Sequence, residues 1–193
     1  MAKKNKTKYA ILGMLSMSPM SGYDIKKLTD FSISHFWSEN FGHIYPVLKR
    51  MEADGFVTKE VEETIGKPNR NIYSITPTGR EELVNWLHLP VEPMPFRNEL
   101  LLKIFFADQL PTEKIIEMVI DARKRFLSKL NEFKKIEDIL KTDEQYMNDK
   151  RIPLWLMTLN FGIHSSRANV FWCDETLIIL EELQKKDKKN REE

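Results

Sequence analysis

An apolar side chain occurs at every third or fourth position between residues 115 and 140. This spacing places the apolar side chains on one face of a single long α-helix. A helix of this length with one apolar face needs a second helix of similar length to cover it. The residues concerned are Ile115, Val119, Ala122, Phe126, Leu130, Phe133, Ile136 and Leu140.

The predicted partner is the last helix, expected over residues 153–185. Its segment 154–163 is apolar on nearly every side, and a helix with that pattern is buried on every side. One side can pack on the long helix of the same chain, so the other side needs a second chain. The pattern predicts a two-fold homodimer. Residues 185–193 are almost all charged or polar and are expected to form a frayed, solvated tail.

Three shorter helices are predicted near the start of the chain. Their expected spans are 7–18, 22–31 and 40–51. Met17 should face the core from the first helix, which Pro19 closes, and Ser21 is a suitable N-cap for the second. Three short helices in this order predict a helix-turn-helix arrangement.

The third of these helices has two different faces. Its apolar face is formed by Ile44, Val47, Leu48 and Met51. The centre of its opposite face is formed by Gly42, Pro46, Lys49 and Ala53, and the margin by Tyr45, Arg50 and His43. A helix that enters the major groove of DNA needs a slim face, hydrogen-bonding groups for base edges and cations for phosphates. The second face fits these needs, although an ordinary solvated helix face is the alternative.

A hairpin is predicted after the third helix. Two strand-like segments, 56–63 and 71–75, flank a turn at residues 66–70 that carries Lys67 and Arg70. A basic hairpin directly after a recognition helix describes a winged helix. Thr76 and Pro77 then start a further helix that should run to Leu87.

The segment 89–95 contains three prolines and predicts an extended connector between two domains. The expected fold is therefore mainly α. An N-terminal winged helix-turn-helix domain occupies residues 1–90, and a C-terminal all-helical dimerisation domain occupies residues 91–193.

Charge and composition limit the partners and the location of the chain. Residues 1–50 carry eight Lys/Arg against three Asp/Glu, so the positive charge lies at the front although the net charge is only +1. No apolar stretch approaches the roughly 18 residues of a membrane span. The early apolar run lacks a signal-peptide cleavage site, so we expect a cytoplasmic protein that binds no membrane. The single cysteine, Cys173, is expected to be a small core residue.

Nothing in the sequence indicates an enzyme. The histidines fall at no metal-ligand spacing, and neither a phosphate-binding loop nor a dinucleotide fingerprint occurs. We therefore expect no metal and no cofactor. A DNA-binding repressor and a protein-binding winged-helix adaptor are the two competing functions, and salt-dependent affinity for DNA separates them.

Five sequence blocks resemble, in order and spacing, the N-terminal domain of the PadR family of bacterial transcriptional regulators. They are residues 11–15, 19–25, 36–37, 44–55 and 73–80. His43 stands where many members of the family have glutamine, and Val47 stands where threonine is usual. These departures leave the role of the helix in place but carry over no operator sequence.

The resemblance implies a homodimer that binds double-stranded DNA at a two-fold operator. The residues expected in the grooves are Tyr45, Lys49 and Arg50, with His43 and Pro46 on the same surface. Lys67 and Arg70 are expected on the flanking backbone, and Lys8, Tyr9 and Tyr23 are expected to contact phosphates.

Many members of the family release DNA when they bind small planar or phenolic molecules. A pocket for such a ligand needs aromatic walls with a few polar groups. The candidate residues lie along the last helix and are Trp155, Phe161, His164, Arg167 and Trp172. The alternative is that these aromatic residues are plain dimer core.

Overall fold

The computed structural model describes residues 6–37, 44–63, 69–93, 96–144, 146 and 149–192. The chain divides into two compact units, Met1–Pro93 and Met94–Glu193. The first unit combines four helices with a small sheet, and the described part of the second unit is helical. This agrees with the predicted fold class, which is confirmed.

Seven helices and strands lie in the described part of the first unit. They are α1 (Thr7–Leu15), β1 (Met20–Ser21), α2 (Gly22–Ser32), α3 (Ile44–Ala53), β2 (Val57–Glu62), β3 (Arg70–Ile75) and α4 (Pro77–Leu87). The sheet is antiparallel with the order β1-β3-β2, and Tyr73 of the central strand is paired with Met20 on one side and Lys59 on the other. The predicted hairpin is formed by β2 and β3.

The core of the first unit lies between its helices and the sheet. Its fully buried side chains are Ile11, Leu12, Leu15, Ile25, Ile44, Leu48 and Met51. The predicted apolar face of α3 therefore points inward, with Val47 half-buried beside it. The prediction for Met17 is wrong, because α1 ends at Leu15 and Met17 lies beyond it with 36% of its surface exposed.

Two helix starts are fixed by their own side chains. The Ser21 hydroxyl accepts a hydrogen bond from the backbone N–H of Asp24, and the Asp24 carboxylate accepts one from the backbone N–H of Ser21. This reciprocal capping box satisfies donors that a helix start leaves unpaired. Thr76 caps α4 by accepting a single hydrogen bond from the N–H of Gly79, and Pro77 follows it as predicted.

The end of α3 is fixed by a left-handed glycine. Gly55 has a φ of 76°, a conformation that glycine adopts without steric cost. Its N–H bonds to the carbonyl of Glu52, and the N–H of Phe56 bonds to the carbonyl of Met51. These two bonds form a Schellman motif, which ends the helix and directs the chain into β2.

The second unit is built from two long helices and a short helical segment. Its elements are α5 (Glu99–Phe105), a 3₁₀ turn (Ala107–Gln109), α6 (Thr112–Thr142) and α7 (Ile152–Glu192). The predicted apolar stripe of α6 packs on α7 and is buried or half-buried along its whole length. The buried side chains of this unit form two clusters. Cys173 is fully buried in the cluster that contains Val119 and Ala122, as predicted.

The last helix differs from its prediction at its end and on its outer side. Residues 185–192, expected as a frayed tail, continue α7. Contacts near this end come from Asp187, which accepts a hydrogen bond from the Thr112 hydroxyl, and from Gln184, which donates to Glu113. Several apolar side chains of α7 point away from α6 and are exposed. They include Leu154 (61%), Met157 (66%) and Phe161 (67%).

Among the described residues, no helix has the length and hydropathy that a membrane span requires.

Candidate nucleic-acid interface

The outer face of α3 is exposed and polar. Tyr45 is 60% exposed, and Pro46, Lys49 and Arg50 are exposed as well. Pro46 is the third residue of the helix, where its missing N–H removes no helical hydrogen bond. The structure therefore brings these four predicted residues together on one surface. His43 lies outside the described residues.

The cations of this face are available for a partner. Arg50 is paired only loosely with Asp54, at 3.7 Å, and its side chain is 86% exposed. Within the described part of the chain, Lys49 makes no ion pair. An exposed ion pair at this distance contributes little free energy, so a phosphate can replace the carboxylate. The backbone beneath the two cations is held by the buried Leu48 and Met51.

Arg70 has a different position from the one predicted. The sequence placed it in the turn of the hairpin, but it is the first residue of β3 and its guanidinium contacts α2. Its Nη2 donates to Asp24 Oδ2 at 2.6 Å and to Ser21 Oγ at 3.3 Å. Arg70 therefore joins the base of the hairpin to the start of α2. Lys67 lies outside the described residues.

The Asp24 carboxylate is stabilised in its charged form. The hydroxyl of Ser21 donates a hydrogen bond to it, the backbone N–H of Ser21 donates a second, and Arg70 adds a nearby positive charge. Together these partners hold the pKa of Asp24 below its usual value of 3.8, although partial burial opposes them. Sequence reasoning placed Asp24 in the first turn of α2 but assigned it no contact with the hairpin.

Lys8 and Tyr9 are held inside the first unit. Lys8 Nζ lies 2.6 Å from Glu82 Oε1 and above the ring of Phe56, and the Tyr9 hydroxyl donates to the same carboxylate at 3.0 Å. The Tyr9 ring is only 7% exposed and stacks on Trp86 with 4.5 Å between ring centroids. Burial and the bond to Glu82 raise the pKa of Tyr9. This arrangement argues against the phosphate contacts predicted for Lys8 and Tyr9, because both have partners within the fold.

Tyr23 remains accessible. It lies in the first turn of α2 and is 65% exposed. It is two residues from the Ser21 cap and next to Gly22, whose backbone lies under the ring of Tyr45. Tyr23 and Tyr45 thus belong to one polar surface formed by the start of α2 and the outer face of α3.

The five predicted effector residues do not form one pocket in a single chain. Trp155 and Trp172 are 17 positions apart on one straight element, which corresponds to roughly 25 Å at 1.5 Å per residue. Trp155 lies beneath the guanidinium of Arg151, and Trp172 packs against the cluster that contains Cys173. The predicted pocket stays a prediction, because it was placed where two subunits meet and one copy of the chain does not test it. Phe161, His164 and Arg167 are exposed on neighbouring turns.

A small cavity in the first unit does not replace that pocket. It has a volume of about 90 Å³ and lies beside the Tyr9 and Trp86 rings, with Lys6 and Glu92 paired at 2.9 Å along its wall. Pockets for drug-sized ligands start at about 300 Å³. Within the described residues, no group of His, Cys, Asp and Glu side chains is arranged to hold a metal ion.

Comparisons with known proteins show which family of proteins this chain resembles. The family model described as the transcriptional regulator PadR-like family matches residues 11–85, and the model described as virulence activator alpha C-term matches residues 96–181. The negative transcriptional regulator PadR of Bacillus subtilis is 27% identical over 177 residues, which cover 90% of this chain and 97% of that relative. The chain belongs to the PadR-like family of transcriptional regulators.

Solved structures of PadR-like proteins have the same fold over nearly the whole chain. The structure of Bacillus subtilis PadR in complex with operator DNA has a TM-score of 0.77 at 27% identity, and it covers 90% of this chain and 98% of that chain. The smu.1604c protein of Streptococcus mutans UA159 has a TM-score of 0.76 at 30% identity, with coverage of 89% and 98%. The structure of Bacillus subtilis PadR in complex with p-coumaric acid has a TM-score of 0.71 at 27% identity, with coverage of 90% and 98%. Membership of this family makes the chain a transcriptional regulator and not an enzyme.

Proposed function

We propose that this chain is a cytoplasmic repressor that binds a two-fold DNA operator as a homodimer. Residues 1–90 serve as the DNA-binding domain and residues 91–193 as the dimerisation domain. Tyr45, Lys49 and Arg50 of each copy enter successive major grooves, which lie about 34 Å apart on one face of the duplex. Pro46 and His43 complete this surface, and Lys67 and Tyr23 contact the flanking backbone.

The single observation that carries this proposal is the division of α3 into two faces. Ile44, Leu48 and Met51 are at most 1% exposed, so the orientation of the helix in the domain is fixed. The opposite face then has to present Lys49 and Arg50 to the outside. A rigid helix with a slim cationic face is what major-groove binding requires. The solved complex of Bacillus subtilis PadR with operator DNA supports the same use of this fold.

The outer side of α7 supports the dimer. Leu154, Met157 and Phe161 are each more than half exposed and follow one another at helical spacing. An apolar strip of this kind is covered by another protein surface in a stable soluble assembly. A second copy of α7 is the simplest cover, because a two-fold contact uses the same strip twice.

The proposed effector is a small aromatic carboxylate. Three exposed side chains lie on neighbouring turns of α7: the ring of Phe161, the imidazole of His164 and the guanidinium of Arg167. The guanidinium can pair with a carboxylate. The structure of Bacillus subtilis PadR with p-coumaric acid supports a ligand of this class. Trp155 and Trp172 are too far apart to share this site within one copy, so each contributes only where a partner subunit brings it near.

The direction of regulation follows the relative named as a negative regulator. The match of residues 96–181 to a model named for a virulence activator favours activation as a second candidate. A transcription reporter with and without the protein distinguishes the two, because a repressor lowers the signal and an activator raises it.

The DNA-binding role is tested by replacing the two cations of α3. We expect Lys49→Ala/Arg50→Ala to weaken binding to a selected operator duplex by roughly a thousandfold or more, because the dimer loses four contacts that each contribute about 1–3 kcal/mol. The salt dependence of binding should also fall, by up to about four in the slope for a dimer. Fluorescence anisotropy at two or more salt concentrations measures both quantities.

The matched control is Lys124→Ala/Arg125→Ala. These residues are also an adjacent Lys–Arg pair on an exposed helix face, so the change in net charge is the same. Their replacement should leave affinity within about twofold if the surface of α3 is specific. Equal losses in both double variants would show that only net charge matters. Undiminished binding after the α3 changes would remove the outer face of α3 from the DNA-binding surface.

A further inference from the structure

Gly22 lies where a side chain cannot be accommodated without moving a residue of the DNA-binding face. A Cβ atom at this position would come within 2.7 Å of Tyr45 Cε1, and within 3.3 Å of both Tyr45 Cδ1 and Leu48 Cδ1, so its closest contact is with the Tyr45 ring. Non-bonded carbon atoms prefer separations of about 3.5–4.0 Å, so one of the two groups would have to shift. The ring of Tyr45 therefore lies directly on the backbone of Gly22.

The backbone of Gly22 is fixed by the residues that precede and follow it in the chain. Ser21, the preceding residue, is paired with Ile72 in the sheet and caps α2. The capping box to Asp24 fixes the first turn of the helix. Because this turn is tied to the sheet and to its own cap, the ring of Tyr45 must adapt to it.

Tyr45 has few other restraints. It is 60% exposed, and its neighbours on the outer face of α3 are exposed as well. The χ1 angle of a tyrosine occupies one of three staggered positions. Contact with a bare glycine backbone can select one of these orientations.

We propose that Gly22 is a positioning residue that holds the Tyr45 ring in its DNA-binding orientation. This inference rests on the proposed function, because it assigns the orientation of a residue placed in the groove. Gly22 itself touches no DNA. It acts by leaving room for the ring and thereby fixes the point at which the Tyr45 hydroxyl meets the duplex.

The orientation is tested without DNA by fluorine NMR. The chain has five tyrosines, and replacing them with 3-fluorotyrosine gives one signal each, with Tyr45 assigned through the Tyr45→Phe variant. Gly22→Ala should shift the signal of Tyr45. Gly13→Ala is the matched control, since a Cβ atom there meets no atom within 4 Å. An unshifted Tyr45 signal in Gly22→Ala overturns the inference.

The consequence for DNA is tested by a double-mutant cycle. The probe is a duplex that the wild-type chain selects from a randomised pool. We expect Gly22→Ala and Tyr45→Ala each to weaken binding about fivefold to a hundredfold, the size of one lost hydrogen bond in each copy of the dimer, and the double variant to lose no more than Tyr45→Ala alone. Additive losses would show that Gly22 acts independently of Tyr45 and would overturn the inference.

Thermal unfolding separates positioning from a folding defect. The group nearest to the added methyl is an exposed side chain that can rotate away, so Gly22→Ala should unfold within a few degrees of the wild type. A shifted fluorine signal together with unchanged DNA affinity in both Gly22→Ala and Tyr45→Ala would support the positioning. It would at the same time overturn the DNA role that the proposed function gives to Tyr45.

Discussion

Asp24 joins three parts of the DNA-binding unit through one carboxylate. It caps the start of α2 and accepts a hydrogen bond from the Ser21 hydroxyl at 2.7 Å. It also pairs with Arg70 at the base of the hairpin. Removing its charge should loosen the helix cap and the base of the hairpin together.

We predict that Asp24→Asn lowers the free energy of unfolding by about 1 kcal/mol at pH 7, the usual value of a helix cap. The folded pKa of Asp24 lies below its unfolded value, chiefly because Ser21 donates a hydrogen bond to it. The stabilisation is therefore present above the unfolded pKa and is lost as pH falls through the folded pKa. Urea unfolding from pH 7 down to acid should show wild type and variant converging.

The control for this prediction is Asp30→Asn on the same helix. Asp30 pairs with Lys26 at 3.2 Å, but both side chains are more than half exposed. Exposed pairs of this kind contribute little, so the control should unfold almost as the wild type does at every pH. A loss that does not diminish in acid would exclude the carboxylate as its cause.

Arg70, Lys8 and Tyr9 show why single residues were hard to assign from sequence. Each was predicted to contact DNA from its residue type and its place in a basic segment. In the structure they contact Asp24 and Glu82, which lie 46 to 74 positions away along the chain, and their contacts with DNA stay predictions. Residue type indicates that a charge needs a partner, but only the fold shows that a carboxylate of the same chain supplies it.

Helix α7 has two apolar sides. One side packs on α6, and the other is the side that we propose as the dimer contact. Leu159 and Ile163 are buried against α6, whereas Met157 and Phe161 face away from it. We predict that Met157→Glu weakens dimerisation about a hundredfold or more, because a buried carboxylate without a partner costs several kcal/mol. Sedimentation equilibrium measures the dimer, and circular dichroism checks that the helices persist.

Val91→Glu is the control for the dimer prediction. Val91 is 96% exposed, so the same added charge should leave dimerisation unchanged. The operator affinity of Met157→Glu should fall with the dimer, because two linked half-sites bind far better than one. A Met157→Glu chain that remains dimeric would mean that the exposed strip of α7 is not the contact surface.

Most elements could be predicted because their signals are local. Ser21 and Thr76 cap their helices through residues three positions on, and the stripe of α6 repeats within one helix. The strand β1 could not be predicted, because Met20 and Ser21 are a strand only through pairing with β3. Likewise, the charged composition of residues 185–192 gave no sign that α7 would continue through them.

At the scale of the whole molecule, an effector bound on α7 must change DNA affinity in the other unit. We predict that at least one compound from a panel of phenolic acids weakens operator binding, and that bound operator weakens the affinity for that compound by the same factor. This equality is required by thermodynamic linkage. Tryptophan fluorescence with and without operator measures one side, and anisotropy with and without the compound measures the other.

Arg167→Ala should weaken the affinity for the active phenolic acid about tenfold, the loss expected for one charge-assisted hydrogen bond. Arg125→Ala, an exposed arginine on α6, is the control and should bind as the wild type does. If no acid changes the tryptophan fluorescence or the operator affinity, release of this regulator from DNA has another cause.

Thr76 connects two helices of the DNA-binding unit and so restricts their relative motion. Its hydroxyl donates to the carbonyl of Gly55 at 2.7 Å and accepts from the N–H of Gly79, and its own N–H bonds to the carbonyl of Phe56. One residue thus clamps the end of α3 to the start of α4, and neither helix can tilt without the other. The recognition helix consequently behaves as part of a stiff block. We therefore expect regulation to change the span between two such blocks on the duplex, while the face that reads each half-site keeps its shape.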